Sequence, residues 1–265
     1  MKTNHILHGD CTRLLKTVPS ESIDLVLTDP PYFVRYRDRS GRTIANDTDP
    51  ASVLGAFNDV FRVLKRDSFC ISFYGWNQVD AFVRIWRQAG FRPVGHLVWH
   101  KNYASSSKFL RARHEQAYLL AKGSPAMPEK PLDDVRPWQY TGNGRHPTEK
   151  APGILRPLIE CFTKPGDVVL DPFAGSGSTL VAAAMTGRRY LGIELEDKYC
   201  ELARDRLERV GGGEGLDRGW SYSDSREGAN QKSDTAVGGF LNWLREPHHN
   251  PVLRALEAIT QGQRT

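Results

Sequence analysis

Short apolar runs alternate along this chain with longer amphipathic stretches, and this alternation limits the fold more than any other feature. Residues 4–8, 23–28, 68–74, 96–100, 116–121, 167–170 and 190–193 read as strands, each short and rich in apolar residues. Between them, residues 51–64 repeat Val53, Leu54, Phe57, Val60, Phe61 and Leu64 at helical spacing. Residues 76–89 repeat Val79, Phe82, Val83 and Trp86 on one face, and Gly90 stops that helix. Further helices are predicted over residues 11–18, 153–162, 178–185 and 195–210. Strands and helices taking turns in this way predict an α/β fold, a mostly parallel sheet with helices on both faces.

Four segments depart from the pattern. Residues 33–50 are polar and Arg-rich, and residues 123–147 are rich in Pro and Gly with no clear period. Loops of that length within a compact domain are usually functional or disordered. Residues 211–235, rich in Gly, Ser and Asp, read as a flexible linker. Residues 236–265 read as a short helical tail broken at Pro247 and Pro251. The expected organisation is one domain over residues 1–210, then linker and tail.

Composition excludes several classes. The chain has 265 residues, 39% hydrophobic and 25% charged, an ordinary globular balance. No apolar run approaches the roughly 20 residues that span a bilayer. Cys11, Cys70, Cys161 and Cys200 are scattered, with no paired or zinc-type spacing, which reads as reduced thiols in a cytoplasmic protein. The histidines show no metal spacing either, so no metal is assigned. The formal charge of +5 is a mild pointer to a polyanionic partner.

Two of the predicted strands end in unusual corners. The run 23–28 leads into Asp29-Pro30-Pro31-Tyr32, a carboxylate, two prolines and an aromatic ring. By itself this could be a strand closed by a proline turn. It also makes a rigid, polar corner on which a planar substrate with an exocyclic amine can stack. The second corner is Asp171-Pro172-Phe173-Ala174-Gly175-Ser176-Gly177-Ser178-Thr179, a strand end, a Gly-rich turn and a helix start. Glycines there let backbone approach a ligand, and the helix start presents free N–H groups. Glu194 ends another strand about 20 residues on, where an acid typically binds ribose hydroxyls. No GK[ST] follows the glycines and the full dinucleotide fingerprint is missing, so the pattern suits a nucleoside cofactor without phosphates.

Together these residues resemble the S-adenosyl-L-methionine-dependent DNA amino-methyltransferases. The Asp-Pro-Pro-Tyr corner precedes the Gly-rich corner, and His146-Pro147-Thr148-Glu149-Lys150 lies shortly before the latter. That order resembles the β group, a circular permutation of the Rossmann-like methyltransferase fold. The resemblance covers roughly residues 4–210 and implies a seven-stranded sheet with an inserted target-recognition region at about 101–147. It implies that Phe173, Gly175 and Gly177 line the cofactor, that Glu194 holds its ribose, and that Thr148 and Lys150 border its methionine end. Cys11, Asp29, His146, Asp171, Ala174, Ser176, Ser178, Thr179 and Leu195 are placed beside it on the same grounds. Asp10 matches the acid expected near the adenine of the cofactor; the alternative is an N-cap for the following helix.

The resemblance also implies a mechanism. The amine of adenine or cytosine, delocalised into its ring, would donate hydrogen bonds to Asp29 and to the Pro30 carbonyl and attack the sulfonium methyl directly. The base would be flipped from the duplex and stacked on Tyr32. Cytosine C5 methylation needs a Pro-Cys nucleophile, which this sequence lacks. Asp at the first position leans toward adenine N6, whereas Ser is more usual for cytosine N4. Double-stranded DNA is the expected substrate. Arg35, Tyr36, Arg37, Arg39 and Arg42, on a mobile basic loop at about 33–50, are candidate DNA contacts, the alternative being a solvated charged loop. So are Lys101, Asn102, Lys108, Arg111, Arg113 and Arg145. Members of the family often dimerise, so a homodimer or higher homo-oligomer is expected. No nuclease motif is present, which leaves a separately encoded restriction endonuclease open as a partner.

Overall fold

The computed structural model describes residues 1–32, 50–107, 109–139 and 150–211. Nearly all of the basic loop expected at 33–50, the end of the expected target-recognition region, and the expected linker and tail lie outside these residues.

In chain order the elements are β1 (His5–His8), α1 (Cys11–Leu14), β2 (Ile23–Thr28), α2 (Pro50–Val63), β3 (Leu64–Phe73) and α3 (Val79–Ala89). Next come β4 (Arg92–His100), β5 (Ser106–Ser107), β6 (Arg111–Ala112), β7 (His114–Lys122) and β8 (Val135–Pro137). Then follow α4 (Pro152–Phe162), β9 (Val168–Asp171), α5 (Ser178–Met185), β10 (Arg189–Glu194) and α6 (Asp197–Gly211). Short 3₁₀ turns at Leu15–Thr17 and Trp76–Gln78 replace the C-terminal and N-terminal ends of two expected helices.

Eight strands, one more than expected, form the main sheet in the order β1-β10-β9-β2-β3-β7-β4-β8. The extra strand is β8, which pairs in parallel with the end of β4. β7 runs antiparallel to both of its neighbours, and the other pairs are parallel. The sheet is therefore mostly parallel, with its central strands covered on both faces. Alternation along those strands divides the core. Val26, Cys70, Val168 and Leu170 face one cluster with Phe57, Val60, Phe82 and Trp86 of α2 and α3. Leu25, Leu27, Ile71 and Val169 face the other, with Ile154, Leu158, Ala182 and Ala183 of α4 and α5.

The expected helix stop is present. Gly90 has φ 104°, and a Cβ there would come within 2.9 Å of the Phe61 ring. The end of α2 is held differently. The Lys122 ammonium, buried beneath the sheet edge, donates to the carbonyls of Phe61 at 2.8 Å and Leu64 at 2.5 Å. It thereby satisfies carbonyl groups that a helix end leaves unpaired.

The topology positions a site. From β2 the chain crosses through α2 to β3 on one side. From β9 it crosses through α5 to β10 on the other. The strand order thus reverses between the adjacent strands β2 and β9, and a crevice opens beyond their carboxyl ends.

Candidate active site

Both unusual corners of the sequence lie in that crevice. Asp29 follows β2, and Asp171 ends β9. They are joined through Thr28, whose hydroxyl donates to Asp171 Oδ1 at 2.9 Å across a separation of 143 residues. The pocket there is open on one side, about 430 Å³ of space counting the solvent at its mouth. Among the expected site residues, Asp29, Lys150, Asp171, Phe173, Ala174, Gly175, Ser176, Ser178 and Thr179 line it. Thr28, Phe73 and Leu155 line it as well and were not anticipated.

Asp29 is held from two directions. Tyr32 Oη donates to Oδ1 at 2.5 Å, and the Lys150 ammonium pairs with Oδ2. The Lys150 side chain is 8% exposed, and its Nζ lies 4.5 Å from the centre of the Phe73 ring. Burial and the Asp29 charge push the Tyr32 phenol well above its ordinary value, so its hydroxyl acts as a donor. Its ring meets Phe82 edge to face at 6.5 Å. Gly75, after β3, leaves room for it: a Cβ there would come 3.0 Å from Tyr32 Cβ.

The Gly-rich turn is fixed by carboxylates at either side. Asp171 accepts from Phe173 N at 3.1 Å as well as from Thr28, and Thr179 hydrogen-bonds to it. Burial raises its carboxyl to about 6, against the effect of these three donors and with a smaller contribution from Asp29. Glu194 accepts from Gly175 N at 2.7 Å through Oε2 and from Glu196 N at 2.8 Å through Oε1. The Leu195 backbone N–H also hydrogen-bonds to this carboxylate, which leaves part of its acceptor capacity open. Burial raises this carboxyl too. Gly175 (φ 50°) and Gly177 (φ 80°) both take backbone conformations that favour glycine. A Cβ on Gly177 would also come 2.7 Å from Ala203 Cβ of α6.

One important residue escaped the sequence reading. Arg206, buried on α6, donates through Nη1 to Ser176 O at 2.6 Å, Ser176 Oγ at 3.0 Å and Ser178 Oγ at 3.2 Å. It ties helix to turn. A lone arginine on a charged amphipathic helix gave no signal, since its partners lie 28 and 30 residues away. Thr28 was more legible, as a polar residue closing an apolar strand just before Asp29.

The remaining expected residues divide. His8 pairs with Glu194 in the register of β1 and β10, so Asp10 and Cys11 follow the strand adjacent to Glu194. The Asp10 side chain is the N-cap of α1, its Oδ1 accepting from Thr12 N at 2.8 Å and Thr12 Oγ1 at 2.7 Å. Burial, with the Asp10 and Glu194 charges, raises the Cys11 thiol to about 12. Leu195 is partly exposed, and its carbonyl meets His8 Nε2 at 3.1 Å. His146 and Thr148 lie outside the described residues, as do Arg35, Tyr36, Arg37, Arg39, Arg42, Lys108 and Arg145.

Lys101 differs from its expected surface role. It is buried and donates to Ser105 Oγ at 2.7 Å while pairing with Glu115. Arg113, half-buried, donates to the Lys101 carbonyl at 3.2 Å. Asn102 and Arg111 are exposed.

The crevice fits a nucleoside cofactor bearing positive charge. Asp29 and Asp171 line it and Glu194 is bonded to its turn, and the Lys150 ammonium offsets one of these three carboxylates, so the balance is negative, disfavours phosphate groups and attracts a cation. Phe173 supplies an apolar wall, and Glu194 offers acceptors suited to a diol.

The family model described as DNA methylase matches residues 23–205. YubD of Escherichia coli (strain K12), which carries the name of a methylase, is 54% identical over 207 residues, covering 78% of this chain and 91% of YubD. The DNA adenine methyltransferase YhdJ of the same organism is 28% identical over 246 residues, covering 77% of this chain and 82% of YhdJ. TTHA0409 of Thermus thermophilus, named as a DNA modification methylase and solved with S-adenosyl-L-methionine, superposes with a TM-score of 0.60. It is 27% identical and covers 79% of this chain and 97% of its own. By motif, crevice and kinship alike, the chain belongs to the N6/N4 DNA methylase family and is a methyltransferase.

Proposed function

We propose that this enzyme transfers a methyl group from S-adenosyl-L-methionine to the N6 amine of adenine in double-stranded DNA, with the base flipped into the crevice. The observation that carries this reading is the meeting of Asp29, the first residue of the Asp-Pro-Pro-Tyr corner, with the Gly-rich turn in one pocket. The cofactor supplies an electrophilic methyl on a sulfonium. The chain's part is to hold and orient. Glu194 offers its open acceptor directions to the ribose hydroxyls, and Phe173 walls the adenine. Asp29 and the Pro30 carbonyl accept hydrogen bonds from the substrate amine, which frees its lone pair from the ring. The nitrogen–methyl bond forms as the sulfur–methyl bond breaks, and the nitrogen sheds its extra proton toward Asp29 or water. Positioning and fixed charges supply the rate. Tyr32, anchored by its hydroxyl, offers its ring to the base.

Adenine is favoured over cytosine by the Asp at the first motif position and by the likeness to YhdJ. The test is incubation with methyl-labelled S-adenosyl-L-methionine and duplex DNA, followed by digestion to nucleosides. Label in N6-methyladenine is the expected result. Label in N4-methylcytosine would overturn the choice of base, and unlabelled DNA would overturn the reading itself.

A further inference from the structure

β4 runs parallel to β2 and β3, because β7 lies antiparallel between β3 and β4. The end of β4 at His100 therefore points to the same sheet edge as Asp29. From that edge the chain leaves the sheet as a small hairpin, β5 against β6, with Ser106 opposite Ala112 and Ser107 opposite Arg111. It re-enters at β7.

The stem of this hairpin is stapled. Lys101 N donates to Arg113 O at 2.8 Å, and Ser105 N donates to Ala112 O at 2.8 Å. The buried Lys101 ammonium binds Ser105 and Glu115 beneath the stem and lies 5.3 Å from the centre of the Trp138 ring. The tip is the opposite in character. Phe109 is fully exposed and Leu110 is 83% exposed. Two adjacent large apolar side chains in open water are costly, at about 25 cal/mol for each Å² left uncovered. Lys108 and Arg111 flank them in the sequence, Arg111 is exposed, and no acid lies between His100 and His114. A fixed stem, an apolar tip and surrounding positive charge together fit a polyanion with an apolar interior.

We propose that Phe109 and Leu110 form a wedge that enters the DNA duplex beside the target base and holds open the gap left when that base is flipped. Apolar side chains inserted between base steps unstack them, and flanking cations bind the phosphates. Arg111 takes the phosphate role here, whereas Lys101 and Arg113 build the stem. The inference rests on the DNA-methylating function proposed above and adds to it the element that opens the helix.

The test uses the full-length protein, Phe109→Ala and the double variant Phe109→Ala/Leu110→Ala. The substrates are two duplexes carrying the site mapped from genomic DNA of expressing cells. In one the target base is paired; in the other it is mispaired and cheap to flip. The double variant is expected to lose about 30-fold or more in kcat/KM on the paired duplex and to regain most of it on the mispaired one. 2-Aminopurine at the target position should brighten with wild type and stay quenched with the variant. Unchanged melting and S-adenosyl-L-methionine binding would show that the variant is folded. Equal activity of variant and wild type on the paired duplex, or an equal loss on both duplexes, would overturn the wedge alone. So would a wild-type dimer that the double variant dissociates, since the tip would then serve a second copy of the chain. A wild type that methylates no duplex would overturn the functional reading and the wedge with it.

Discussion

At the scale of single residues, the Lys150–Asp29 pair is the most consequential contact in the crevice. Resemblance alone put Lys150 beside the methionine end of the cofactor; the structure puts its ammonium on the Asp29 carboxylate. Lys150→Met would leave that carboxylate with Tyr32 as its remaining bonded partner among the described residues. If Lys150 acts through Asp29, kcat falls by about tenfold or more, a cost of about 1.4 kcal/mol in the barrier, while KM for S-adenosyl-L-methionine moves little. Steady-state kinetics with each substrate varied in turn checks this split. A raised KM for the cofactor with kcat intact would return Lys150 to a purely cofactor-holding role. Asp171 gives a second prediction, of stability against pH. Its folded value of about 6 lies above the ordinary 3.8, so between these values the native state holds a proton that the unfolded state has lost. Its contribution therefore falls as pH rises from about 4 to about 6 and is level above that. Asn in its place keeps an acceptor for Thr28 and Phe173 without the charge. The gap in Tm, Asp171→Asn minus wild type, should widen over that interval and then plateau; a gap independent of pH would refute the assignment.

At the scale of elements, the Gly-rich turn depends on a helix that follows it in the chain. Arg206→Met would leave Ser176 O and two hydroxyls without the guanidinium that now meets them. Hydrogen bonds to charged groups contribute about 1.5–3 kcal/mol, so a loss of about that size in denaturant melts is expected, together with weaker S-adenosyl-L-methionine binding. Arg206→Lys, a point charge unable to bridge three acceptors, should recover part of it. Intact cofactor affinity in a destabilised Arg206→Met would confine α6 to a packing role. This dependence also marks where sequence reading succeeds and where it stops. β2 and α5 were legible to the residue, because an uninterrupted apolar run and a helix start after glycines are local signals. α3 was legible through its stripe and Gly90. β8 was not: Val135-Arg136-Pro137 has neither length nor alternation, and it is a strand because β4 offers it an edge. Lys101 misled in the same way, and Lys122 gave no signal of its role. A lysine reads as a surface charge until the fold brings Glu115 to one and the carbonyls of Phe61 and Leu64 to the other.

At the scale of the whole molecule, the chemistry depends on a reversal of strand order. On the proposed function neither corner motif serves alone; β2 and β9 must lie side by side for Thr28 to bridge to Asp171. Cofactor binding therefore reports on the assembled fold. A ligand that binds the native state alone stabilises it by about 2.7 kcal/mol at 100 times its Kd. For a domain of this size that corresponds to a rise in Tm of about 5–10 °C. S-adenosyl-L-methionine at saturation should produce such a rise in the full-length protein, measured by thermal melts. ATP at the same concentration should produce none, because the carboxylates of Asp29, Asp171 and Glu194 oppose its phosphates while attracting the sulfonium and ammonium of the cofactor. Glu194→Gln should reduce the S-adenosyl-L-methionine shift and lower the ligand-free stability by about 1–3 kcal/mol, since the glutamine carbonyl can accept from only one of the two backbone N–H groups and its amide faces the other. An equal shift with ATP would contradict the electrostatic account of the crevice. A full-sized shift in Glu194→Gln would remove the ribose role from that residue and leave it as the clamp of the Gly-rich turn.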